Sequence, residues 1–172
     1  EAARKQTSFG KLVTAYRSRG HLGASLDPLA MTPPQQAPDL GLEFHGLSAA
    51  DLDREFNVAT YFGPDKFKLR DLLDRLKATY SGSIGAEFMH ISDAAQRRWM
   101  QQRLEGAAGS FGLDAPAKLR ILERLTAAEG LERYLHTKYV GQKRFSLEGG
   151  DSLIPLMDTL VRRGGSNGVK DV

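Results

Sequence analysis

Lys68-Leu69-Arg70-Asp71-Leu72-Leu73-Asp74-Arg75-Leu76-Lys77-Ala78-Thr79-Tyr80 places Leu69, Leu72, Leu73, Leu76 and Tyr80 on one stripe, with charged residues between them. That is the 3.6-residue period of an amphipathic helix, and Ser81-Gly82-Ser83 ends it. Working outward, the same period recurs near the N-terminus. Residues 2–19 carry Phe9, Leu12, Val13 and Tyr16 on one face, and Gly20 is the expected C-cap after Arg17 and Arg19. Between these helices, residues 23–46 lose all periodicity. Pro28, Pro33, Pro34 and Pro38 mark an extended linker, and Leu26, Leu29, Met31, Leu40, Leu42 and Phe44 predict that it lies down on a surface. Ser48-Ala49-Ala50-Asp51 reads as a capping-box start to a short helix over 48–56.

Downstream, residues 84–91 read as extended or irregular. Ser92 or Asp93 then caps a helix to about Glu105, with Trp99, Met100 and Leu104 as its buried candidates. Glycines over 106–112 precede a helical run over 115–139. Thr126-Ala127-Ala128-Glu129 followed by Gly130 predicts two helices there, meeting near Leu125. Residues 144–147 read as a short strand, and Gly149-Gly150-Asp151 as a turn and N-cap. A helix follows, with Pro155 in its first turn and Leu153, Leu156, Met157, Leu160 and Val161 as its apolar face. Residues 164–168 end it, and 169–172 would enter a further strand. The expected fold is mainly α, closing on what resembles the first strand and helix of an α/β unit. The expected partition is an N-terminal helix (1–22), an extended linker (23–46), a helical subdomain (47–140) and the truncated start of an α/β domain (141–172).

The composition is that of a globular protein, with 41% apolar and 26% charged residues in 172. The net charge of +3 is spread among mixed signs, and basic residues do not interleave with aromatics, so no nucleic-acid partner is expected. No apolar stretch reaches the length of a transmembrane helix, and no membrane role is expected. The chain has no cysteine, which removes disulfides, thiolate nucleophiles and cysteine-ligated zinc. The first residue is not Met and the pattern opens in mid-helix, which reads as a chain cut at both ends.

Candidate chemistry is sparse. His21, His45, His90 and His136 lack the spacing of a helical zinc pair and read as structural residues, so no metal ligand is assigned. Gly149-Gly150 precedes a helix, but Glu148 and Asp151 flank it and would repel a phosphate. Ser146 has no neighbouring base in sequence to activate it. No catalytic residue is assigned, and the apolar stripes are expected to be core.

Several motifs, in order, resemble one family. Tyr16-Arg17-Ser18-Arg19-Gly20-His21-Leu22 with Asp27-Pro28-Leu29 opens the series, followed by Glu55-Phe56-Asn57-Val58 and Ile84-Gly85-Ala86-Glu87-Phe88-Met89-His90-Ile91. A helix with a central Trp99 comes next, then Thr126 to Leu135, and last Lys143-Arg144-Phe145-Ser146-Leu147-Glu148-Gly149-Gly150-Asp151-Ser152-Leu153-Ile154-Pro155. Together they resemble the N-terminal part of the decarboxylating first component of the 2-oxoglutarate dehydrogenase complex. Ser81 departs from the cysteine common in relatives.

The resemblance implies an α/β thiamine diphosphate-binding domain beginning at the signature, in a homodimer holding thiamine diphosphate and Mg2+. It implies decarboxylation of 2-oxoglutarate and transfer of the succinyl group to a lipoyl arm, with dihydrolipoyl succinyltransferase and dihydrolipoyl dehydrogenase as partners in the tricarboxylic acid cycle. Phe145 and Leu147 would line the cavity near the thiazolium ring, with Ser146 and Arg144 beside them. The strand packing into a core is the alternative for Leu147 and Ser146. The family's magnesium ligands and its substrate-contacting histidine are not in this sequence, so no cofactor is expected on this chain alone, and no activity. Localisation is expected to be the bacterial cytoplasm, or the mitochondrial matrix for a eukaryotic chain. The alternatives are a helical docking or assembly module without catalysis, and the related 2-oxoadipate component.

Overall fold

The computed structural model describes residues 1–35, 37–58 and 60–171. The chain divides into two compact units, Glu1–Gly112 and Leu113–Val172. It is mainly helical, as the periodicities predict, and its paired strands form one short hairpin among the described residues.

In the first unit, α1 (Ala2–Arg19) and α2 (Leu69–Tyr80) bring their apolar stripes together. Phe9, Leu12, Val13 and Tyr16 meet Leu69, Leu72, Leu76 and Tyr80 in one core, all essentially removed from water. Each such side chain contributes roughly 1.5–3 kcal/mol by burial. Gly20 does not act as a left-handed cap. It is right-handed and starts a 3-10 turn, Gly20–Gly23. Its value is steric, since a Cβ there would lie 2.5 Å from the Cβ of Tyr80. Glycine lets the ends of the two helices touch.

The helix expected over 48–56 is corrected to a 3-10 turn, Ala49–Asp51, followed by strand β1 (Glu55–Asn57). The capping box is present, with Asp51 accepting from the Ser48 backbone N–H at 3.1 Å. Pairing and packing override its propagation. β1 runs antiparallel to β2 (Lys66–Lys68) with Phe56 opposite Phe67, and the Phe56 ring stacks on Phe9 at 4.9 Å. The linker is pinned only in part. Leu40 and Leu42 pack against the core, and Arg19 pairs with Asp39 at 2.9 Å, whereas Leu26, Leu29, Met31 and Phe44 face solvent.

Helix α3 (Ala94–Ala107) is capped by Asp93, which accepts from the Gln96 N–H. Met100 and Leu104 lie against the core as expected, but Trp99 is half exposed. The inward face is centred on Leu104 and the fully buried Glu105, which turns Trp99 outward. Arg17 from α1 grips Glu105 with two hydrogen bonds, of 2.7 and 3.1 Å. Tyr80 from α2 donates to the same carboxylate at 2.8 Å, and the Phe62 N–H donates at 2.6 Å. Burial, and then Glu105, push the Tyr80 hydroxyl far above its ordinary pKa, which keeps it a donor.

The second unit holds α4 (Ala115–Lys138) and α5 (Leu153–Ser166). The expected break near Leu125 is absent. Gly130 costs about 1 kcal/mol in a helix interior, less than the backbone hydrogen bonds a break would sacrifice. Leu125, Ala127, Ala128, Leu131 and Glu132 around it all favour helix. The strand expected over 144–147 does not form either. A strand needs a ladder, and no described residue of this unit offers one. Residues 169–171 are likewise irregular, and Val172 lies outside the described residues. Ser152, without a side-chain cap, takes the N-cap place expected around Asp151. Arg120 joins α4 to Asp158 of α5 through two hydrogen bonds of 2.7 Å.

This unit has almost no interior. Pro155 is its one buried residue among those described. The expectation that the α5 stripe is core is therefore corrected: Leu153, Leu156, Met157, Leu160 and Val161 remain exposed, as do Leu119 and Leu122 of α4. A two-helix pair has no layer on which to bury such a face.

Two outcomes follow. Glu105→Ala strands the buried Arg17 guanidinium and lowers the first unit's unfolding free energy by about 3–5 kcal/mol in urea titration; a loss below about 1 kcal/mol contradicts the clamp. The Asp158 carboxyl is held below the usual range by its hydrogen bonds to Arg120. Its contribution is therefore present above the ordinary carboxylate pKa and disappears as pH falls through the lowered folded value. Arg120→Met should return the NMR titration midpoint of Asp158 toward about 3.9.

Candidate functional site

The signature segment lies in the second unit, residues 143–152 as an irregular loop after α4 and Leu153-Ile154-Pro155 as the first turn of α5. Glu132, on the C-terminal half of α4, accepts the Leu147 N–H at 2.6 Å and so ties the loop to the helix. One turn further on, His136 Nδ1 receives the Arg144 guanidinium at 3.1 Å, which requires that nitrogen to be unprotonated. The loop closes on itself next. The Gly150 N–H donates to the Leu147 carbonyl at 2.6 Å, and the Gly149 N–H donates to the Asp151 carboxylate at 3.1 Å. Gly149 has φ +86°, a left-handed conformation that glycine adopts without steric cost.

Together the loop and α4 enclose an open groove of about 730 Å³, lined among others by Glu132, Arg133, His136, Arg144, Glu148 and Asp151. Arg144 is the one residue of the sequence-predicted set that lines it. Phe145 points wholly into solvent at 102% relative exposure, Ser146 is exposed and Leu147 is half-buried. The structure thus places Arg144 against His136 and leaves the Phe145 ring unused within this chain. Neither His136 nor Glu132 was singled out by the sequence as a loop anchor. Their partners lie 8 and 15 residues away along the chain, outside any local motif.

The chemistry of this groove is limited. Glu129, Glu132, Glu148 and Asp151 outnumber its cations and disfavour a diphosphate. No group of three or more potential metal ligands converges among the described residues. Among the described residues, no base forms a hydrogen bond with Ser146, which is exposed. The residues present do not fit a thiamine diphosphate–magnesium site, and no step of a decarboxylation is assigned to them. No helix among those described is long and apolar enough to cross a membrane.

No family model matches the chain. Individual proteins do, along its whole length. It is 51% identical over 173 aligned residues to the 2-oxoglutarate dehydrogenase E1 component of Cupriavidus necator. Identity is 47% to the E1 component of Azotobacter vinelandii and 42% to that of Brucella anthropi. The alignments cover 100% of this chain but only 17–18% of those relatives, at their N-terminal part.

The loop tether yields a direct expectation. Glu132→Ala removes the acceptor of the Leu147 N–H, and amide exchange at Leu147 accelerates by about tenfold or more; unchanged exchange contradicts the tether.

Proposed function

We propose that this chain, which belongs along its whole length to the 2-oxoglutarate dehydrogenase E1 family, forms the N-terminal scaffold of an enzyme that decarboxylates 2-oxoglutarate. In that enzyme thiamine diphosphate and Mg2+ supply the carbanion chemistry, and the succinyl group passes to a lipoyl arm of a dihydrolipoyl succinyltransferase. Dihydrolipoyl dehydrogenase completes the assembly, the E1 chain is a homodimer, and the compartment is the cytoplasm of a bacterium. The observation that carries the reading is the identity of 42–51% over 100% of the chain. This chain supplies no catalytic group.

The second unit supports a role as part of a larger body. Its exposed apolar faces, with Leu156, Leu160 and Phe145 among them, have the composition of a core that is completed by further polypeptide. Such a completion would carry Phe145 from solvent, and the half-buried Leu147 with it, into the wall of the cofactor cavity, with Arg144 and Ser146 alongside. A docking or assembly role is the second reading, favoured by the exposed Leu26, Leu29 and Met31 on an otherwise anchored linker.

Calorimetric titration of the chain alone with thiamine diphosphate and Mg2+ should give no binding; micromolar affinity contradicts the scaffold reading. In a longer polypeptide of the family that contains this chain, 2-oxoglutarate should be the preferred substrate over 2-oxoadipate. Phe145→Ala there should lower kcat/KM by about tenfold or more, near 1.4 kcal/mol of lost transition-state stabilisation. Unchanged kinetics remove Phe145 from the cavity wall.

A further inference from the structure

The signature groove is acidic, but the N-terminal half of α4 and the C-terminal half of α5 enclose a pocket of the opposite sign. Arg120 and Arg124 of α4 and Arg162 and Arg163 of α5 line about 340 Å³, against a single lining carboxylate, Asp158. That carboxylate is already engaged. Arg120 holds it with two hydrogen bonds of 2.7 Å, the one ion pair formed in the pocket among the described residues. Those bonds chiefly lower its pKa, and the charges of Arg162 and Arg124 act on it as well, so these guanidiniums gather about one point. Two further carboxylates stand nearby. Glu123 acts on Arg120, and Asp114 caps α4 by accepting the Ala117 N–H at 2.9 Å. Both are exposed, and neither forms an ion pair with these arginines.

Arg124 adds a second observation. Its Nε–H is shielded from water and has no acceptor among the described residues. Buried donors are rarely left unmet, and an oxygen brought by a ligand would meet this one. We infer that the pocket binds a phosphate group, free or carried as a monoester. Guanidinium forks match phosphate oxygens in pairs, and a tetrahedral dianion accepts from two helices at once. The hydroxyls of Thr159 and Ser166 also line the pocket and can donate to it. A nucleic-acid strand would need aromatic platforms, and no aromatic residue is among the lining. Ion pairs this open are individually weak, so the expected dissociation constant is about 1 mM. That lies well outside the micromolar range that tests the scaffold reading, on which this inference does not rest.

The measurement is the NMR resonance of the Arg124 Nε–H, followed as inorganic phosphate, glycerol 3-phosphate or malonate is added at constant ionic strength. Both phosphates should shift it saturably, and malonate, a dianion without the tetrahedral set of oxygens, should bind about fivefold more weakly. An equal response to the two phosphates identifies the bare group as the ligand; a tighter monoester identifies a phosphorylated compound. Arg162→Gln together with Arg163→Gln, both exposed, should weaken phosphate about tenfold. Lys66→Gln together with Lys68→Gln, exposed cations of the hairpin, should leave it unchanged. The backbone spectrum of each variant shows that its helices are still folded. No saturation by about 10 mM, an equal shift with malonate, or equal weakening by the hairpin pair each overturn the proposal. So does a response in this chain that is lost in a longer polypeptide of the family, since the pocket would then be covered from within.

Discussion

Arg17, Glu105 and Tyr80 come from three different helices and meet at one carboxylate inside the first unit. Everything else there is arranged around that meeting. Apolar stripes alone would allow α1 and α2 to slide or rotate against each other, because burial is not directional. A buried carboxylate that must find a guanidinium, a hydroxyl and the Phe62 N–H removes that freedom. The pair contributes little net stability compared with an apolar substitute, but it fixes which faces of α1, α2 and α3 touch. The same choice decides what stays outside. With Glu105 inward, Trp99 is outward.

The two units answer differently to the same kind of sequence. Both α2 and α5 are amphipathic, with Leu-rich faces of similar strength. In α2 the face is consumed by α1, the hairpin and Phe88. In α5 it meets α4, whose own apolar residues are spread around the helix, and most of it stays wet. Amphipathicity predicts that a face will be covered; it does not say by what. The second unit thus leaves most of its apolar face and the Phe145 ring of the signature loop exposed, which is the observation behind the proposal that it forms one side of a larger core.

Much of this was legible in the residues. The α1 and α2 stripes, the capping-box pair Ser48 and Asp51, the Asp93 cap and Pro155 in the first turn of α5 all act through contacts within a turn or two, which local pattern encodes. What was not legible depended on distance along the chain. Phe56 is a strand residue because it pairs with Phe67 of β2 and its ring stacks on Phe9, 47 positions earlier. Gly20 looked like a cap and proved to be a point of contact with Tyr80. The helix expected to break at Leu125 stayed whole because Gly130 is a small penalty within a run of strong helix formers. At the signature, sequence resemblance named Phe145, Leu147, Ser146 and Arg144 but could not supply the tethers from Glu132 and His136, which come from the neighbouring helix.

The central claim is that the first unit is self-sufficient and the second is one side of a body completed by more polypeptide. Native-state hydrogen exchange, compared between this chain alone and a longer family member containing it, tests that most directly. The account predicts strong and equal protection of the α1 and α2 amides in both, with α5 amides protected only in the longer protein. Equal protection of α5 in the chain alone, or loss of protection in α1 and α2 there, would contradict it.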